Sequence, residues 1–134
     1  MGSDEMIILD THIWLWWLND AKPQLGEEWS GIISTSTNIA ISAISCFEVA
    51  WLERHGRIEL PMALADWFDK ATSGSGIEII PITPKIAETA VDLPEHHSDP
   101  QDRLIMATAI VNQAKLLSAD AKFKSYKELE GILI

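Results

Sequence analysis

Asp10, Glu48, Asp102 and Asp120 are four acids far apart in sequence, each at a place where an apolar run gives way to a helix or where a helix begins. Carboxylates brought together from distant segments suit one kind of chemistry above others, the holding of a hard divalent cation through oxygen ligands. Two carboxylates about 4 Å apart repel by roughly 4 kcal/mol at an effective dielectric near 20, so four in one cleft require a cation among them. Taken singly, each acid has a simpler explanation. Ser45 and Glu48 match the S-x-x-E capping box, Asp102 is favoured in a helical first turn, and Asp10 and Asp120 suit helix N-caps. Their joint occurrence is what favours a shared site.

The elements that must position these acids follow from the apolar pattern. Met6 to Leu18, MIILDTHIWLWWL, is a short buried strand, one carboxylate, and then a helix apolar nearly all round. Gly26 to Thr37 is a moderately amphipathic helix after a turn containing Pro23, and Ile39 to Ser42 is a second strand. A helix over Ser45 to His55, ended by Gly56, carries Glu48 in its first turn. Pro61 opens another helix through Trp67 and Phe68, Ile77 to Ile82 is a third strand, and Pro84 to Leu93 is helical. In HHSDPQDRLIMATAIV, Asp99 reads as the N-cap, Pro100 as the first helical residue and Asp102 as a first-turn acid of a helix reaching about Ala114. Leu116 to Ala119 is a fourth strand stopped by Asp120, and Ile132 to Ile134 a weak terminal one. The alternation is α/β. A helix leaving one parallel strand for the next returns antiparallel to both, so its first turn lies at the carboxyl edge of the sheet beside the strand ends. All four acids are therefore expected on that edge. Adjacent strands lie about 4.8 Å apart, close enough for Asp10 and Asp120 to share an ion if their strands are neighbours.

A length of 134 residues with 47 % hydrophobic content suits a single domain, residues 6–134, behind a polar extension over 1–5. The single cysteine excludes an internal disulfide framework and a cysteine-based zinc site, and with no signal peptide before Met6 the expected setting is reduced and cytoplasmic. The apolar stretch around Asp10 is too short and interrupted to span a bilayer. A net charge of −10 argues against a general nucleic-acid binder, which needs a basic face.

ILDTHIWLWWL, ISAISCFEVAW, HHSDPQDRLIMATAI and LLSADAKF together resemble the PIN domain and, within it, the VapC-type toxin ribonucleases, over almost the whole chain. The resemblance implies a three-layer α/β sandwich, a central parallel sheet of four to five strands flanked by helices. It further implies a magnesium-dependent RNA endonuclease, Mn²⁺ being an alternative ion, with a cognate antitoxin as partner. By position, Asp10 and Asp102 are the principal metal ligands and Glu48 and Asp120 complete the quartet, with Asp99 the alternative to Asp102. The chemistry expected is metal-assisted hydrolysis of a phosphodiester by activated water. The charge objection then weakens, because four of the acids belong to the site, and Arg103, Lys122, Lys124 and Lys127 offer a local basic rim.

Thr11 and Ser45 have hydroxyls able to orient a carboxylate, or equally to serve a backbone turn, and Arg103 suits either a phosphate or an acid. His12, His96 and His97 are read as packing or hydrogen-bonded residues rather than ligands. The Trp-rich helix is read as core and homodimer interface rather than a base-stacking platform. Two other classes compete. A phosphotransferase of the haloacid dehalogenase type lacks its D-x-D pattern here, since position 12 is His. A catalytically inactive PIN-like protein-binding module is the stronger rival.

Overall fold

The computed structural model describes residues 5–19, 25–96 and 98–134. The turn expected around Pro23 and the residue His97 lie outside them. The described elements, in chain order, are β1 (Ile7–Leu9), α1 (Thr11–Leu18), α2 (Glu27–Thr35), β2 (Ile39–Ser42), α3 (Ala43–Arg54), α4 (Leu64–Ala71), β3 (Glu78–Ile80), α5 (Pro84–Asp92), α6 (Pro100–Val111) and β4 (Lys115–Leu117), followed by two short 3₁₀ turns.

The four strands form one parallel sheet in the order β3-β2-β1-β4. Ile8 pairs with Ala40 on one side and Leu116 on the other. Leu133 adds a single parallel bridge to Leu116, so the expected terminal strand is reduced to one pairing at the sheet edge. Alternate strand residues enter two separate cores. Ile8, Ala40, Ile80 and Leu116 pack with α5, α6 and the aromatic residues Phe123 and Tyr126. Ile7, Leu9, Ile39, Ile41 and Leu117 pack on the other face with Trp14, Val49 and Trp67. Covering both faces explains why these strands are apolar without polar alternation. The result is the expected three-layer sandwich.

Two element boundaries differ from the sequence reading in ways that matter. β2 runs into α3 without a loop, because the Ser42 hydroxyl accepts the Ile44 N–H and caps the helix. Ser45 is therefore inside the helix, the Ser45–Glu48 capping box does not form, and Glu48 stands in the second turn rather than the first. At its other end, α3 closes as a Schellman motif on Gly56 at φ +68°, with Arg57 N bonded to Leu52 O at 2.8 Å. α6 ends the same way but three residues earlier than expected, with Gln113 at φ +52° and Ala114 N bonded to Ala109 O at 2.9 Å.

Other shifts are smaller. α4 begins at Leu64, not Pro61, and β3 is shortened to three residues ahead of Pro81, which has no N–H for the ladder. No helix among the described residues is long and apolar enough to cross a membrane.

Candidate active site

The chain reverses its direction of travel across the sheet between β1 and β4, and a crevice opens beyond the carboxyl ends of these neighbours. Asp10 stands at the end of β1 and caps α1, with Oδ1 accepting the Thr11 N–H at 2.7 Å. Its other oxygen, Oδ2, accepts the Ser118 hydroxyl at 2.7 Å. Asp10 is buried, and burial raises its pKa above the ordinary carboxylate value. The Ser118 and Thr11 hydrogen bonds and His12 work against that rise, while Asp120 adds to it.

Glu48 reaches the same crevice from α3. Burial also raises its pKa, opposed by the Thr11 hydroxyl and His12 and assisted by Asp10 and Asp99. Its Oε1 is buried without a hydrogen-bond partner. Thr11 Oγ1 donates to Ser45 Oγ at 2.8 Å, and both residues are fully buried. This bond fastens α1 to α3.

Asp99 caps α6 by accepting the Gln101 N–H at Oδ1, 2.9 Å away, Pro100 is the first helical residue and Asp102 lies in the first turn, as the sequence indicates. Asp120 caps the first 3₁₀ turn by accepting the Lys122 N–H at 2.9 Å. Capping and convergence are thus compatible, since each of these two caps uses one carboxylate oxygen. Asp10, Glu48, Asp99, Asp102 and Asp120 line one cleft of about 380 Å³ together with His12, Trp16 and Ala119.

Other residues singled out from the sequence fall elsewhere. Arg103 does not line the cleft; its guanidinium donates to the carbonyls of Val91, Leu93 and Pro94 and fastens the end of α5 to α6. Lys122, Lys124 and Lys127 are exposed on the 3₁₀ turns and likewise do not line it. His96 packs edge-on against Tyr126, whereas His12 faces the acids. Ser118 escaped the sequence reading, although its place two residues before Asp120 is a local turn signal: the Asp120 N–H bonds to its hydroxyl at 3.1 Å.

The donor set is made of carboxylate oxygens, one of them buried and unpartnered, which fits a hard divalent cation. As the side chains stand, no three His, Cys, Asp or Glu residues among those described close on a common point to hold an ion. Mg²⁺ keeps several waters and binds through one or two carboxylates, so a hydrated ion does not demand such closure.

Fold and cleft together define an α/β domain with an acidic crevice at its sheet edge. A PIN-domain family model matches residues 7–129, and the chain belongs to the PIN family. It is of the VapC type: it is 37 % identical over 130 residues to Ribonuclease VapC22 of Mycobacterium tuberculosis, an alignment covering 96 % of this chain and 97 % of that protein. Its fold is shared by VapBC2 from Rickettsia felis bound to a DNA fragment from their promoter, with a TM-score of 0.68 at 24 % identity over 96 % of this chain and 97 % of that one. A toxin-antitoxin complex from Klebsiella pneumoniae has a TM-score of 0.60 at 22 % identity over 96 % and 95 % of the two chains.

Proposed function

We propose that the chain is a cytoplasmic, divalent-metal-dependent endoribonuclease, with Mg²⁺ or Mn²⁺ as the ion, acting as the toxin of a type II toxin-antitoxin pair. The observation that carries this reading is the convergence of acids from four separate segments on one cleft. The 37 % identity to a ribonuclease and the likeness to toxin-antitoxin complexes support the substrate class and the antitoxin partner. A second copy of the chain is a further partner, with Trp17 and Leu18, half-buried on α1, as the surface to be covered.

In this reading Asp10 and Asp102 hold the ion and Glu48 and Asp120 complete the acidic ring, with Asp99 the alternative to Asp102. When bound, a divalent ion lowers the pKa of a coordinated water and offsets charge on the scissile phosphate and the departing oxygen. Ser118 and the Thr11 N–H aim Asp10 and favour its ionised form. Glu48 lines the cleft with its buried Oε1 unpartnered, an oxygen left over for the ion or for one of its waters. Ser45 and Thr11 keep the Glu48 helix in register with Asp10.

The test is cleavage of RNA by purified protein in Mg²⁺ or Mn²⁺. Cleavage should disappear in excess EDTA and in Asp10→Asn, whose fold should be intact by circular dichroism. Cleavage persisting in either case overturns the assignment. A folded wild type that binds an antitoxin but cleaves no RNA with either metal would instead be an inactive PIN-like binding module.

A further inference from the structure

The three tryptophans of α1 have different surroundings. Trp14 is fully buried and meets Trp67 edge-on at 5.0 Å. Trp17 packs at the rim of the same core. Trp16 is half-buried against that core and lines the acidic cleft beside His12, four residues earlier on the same helical face. Their rings lie 6.4 Å apart at an interplanar angle of 59°.

The cleft poses a binding problem that this pair can answer. Among the described residues its lining includes five carboxylates and no lysine or arginine, so those side chains supply no cation for a polyanion. Uncharged contacts can add affinity there, and among the described lining residues Trp16 has the largest aromatic face.

We infer that Trp16, flanked by His12, is a nucleobase-stacking subsite that holds an unpaired base next to the scissile phosphate. This rests on the ribonuclease reading and adds to it a side chain that would hold the substrate outside the acids. Bases in an A-form duplex are stacked on their neighbours, so a base on Trp16 has to come from a single strand, a loop or a bulge. The subsite excludes duplex RNA and tolerates any base, because every base has a π-face. Base stacking at Trp16 is the role set aside above, where the whole Trp-rich helix is read as core and homodimer interface.

The test uses full-length protein and an unstructured oligoribonucleotide, intact or with one abasic site moved along it. Binding is read by fluorescence anisotropy in Ca²⁺ and cleavage by KM and kcat in Mg²⁺ or Mn²⁺. For wild type, removing one particular base beside the cleavage position should weaken binding about tenfold, as loss of one stacking contact does. Trp16→Ala should cost about as much on the intact strand and Trp16→Phe much less, given that stacking is the contact removed. The cost should appear in KM more than kcat, and Trp16→Ala should lose no further affinity at the abasic position. Additive losses, or an intact-strand affinity unchanged in Trp16→Ala, overturn the subsite while leaving the nuclease reading intact. If wild type cleaves nothing, that reading fails and the anisotropy comparison still decides the subsite; no RNA binding at all overturns it. The abasic series on wild type decides it even if Trp16→Ala does not fold.

Discussion

Ser118 Oγ donates to Asp10 Oδ2 at 2.7 Å across 108 residues of sequence, and the same oxygen accepts the Asp120 N–H at 3.1 Å. One hydroxyl therefore joins the end of β1 to the turn after β4 and touches two of the acids in the cleft. Ser118 is buried, so its bonds compete little with water.

Ser118→Ala should destabilise the protein by about 1 to 3 kcal/mol, the cost of leaving buried polar groups unpaired. It should also push the Asp10 pKa further up, since this bond is one of the interactions holding it down. Urea unfolding at neutral pH measures the first effect, and RNA cleavage should fall in parallel. Wild-type stability in Ser118→Ala would show that the bond contributes nothing to the fold.

Burial holds Asp10 and Glu48 above the ordinary carboxylate range in the metal-free fold. The folded state then binds protons more tightly than the unfolded chain, whose carboxyls titrate near about pH 4. Their contribution to stability is full below that pH and is lost as pH rises through the raised values. In EDTA, the melting temperature of Asp10→Asn relative to wild type should therefore climb as pH goes from mildly acidic to slightly basic. A difference that stays flat or shrinks with pH would contradict the shift at Asp10.

Metal should reverse that trend. A ligand bound only by the folded state adds RT ln(1 + [L]/Kd), about 2.7 kcal/mol at a hundredfold excess over Kd. Mg²⁺ or Mn²⁺ at fixed ionic strength should raise the wild-type melting temperature, more at higher pH because the ligands must be ionised. Asp10→Asn and Asp102→Asn should lose most of the gain. Equal metal responses in all three proteins would remove these acids from the ion site and leave capping as their role.

Much of this site was legible because strand ends and helix starts are written locally. Ile7, Ile8 and Leu9 followed by Asp10, and Asp99 followed by Pro100, mark their own boundaries. Ser42 and Ser45 are equally good caps by type, and only the direct passage of β2 into a helix selects Ser42. The Ser118–Asp10 bond needed knowledge that β1 and β4 are neighbours. Arg103 was read as a partner of phosphate or acid, yet it serves three carbonyls at a helix end that no local pattern connects to it. Nor does an apolar pattern separate Trp14 from Trp16, since both suit a covered helix and only packing assigns one to the core and the other to the cleft.

Gln113 takes the left-handed conformation that closes α6, where glycine is the usual residue. Gln113→Gly should remove a backbone cost of roughly 1 to 2 kcal/mol, partly offset by glycine's greater unfolded-state freedom, for a net gain of about 0.5 to 1 kcal/mol. Denaturant midpoints measure it. A loss of stability would mean that the glutamine side chain contributes more than its backbone costs.

The position of β1 in the sheet, between β2 and β4, bears on when the cleft can form during translation. A ribosome releases Asp10 and Glu48 well before Lys115–Leu117 and Ser118, the residues that pair with β1 on its second side and clasp Asp10. Until then the nascent chain carries the first two acids of the cleft without the edge that gathers them. Strand order thus sets an order of assembly: the cleft cannot be completed until β4 has been made and has paired with β1.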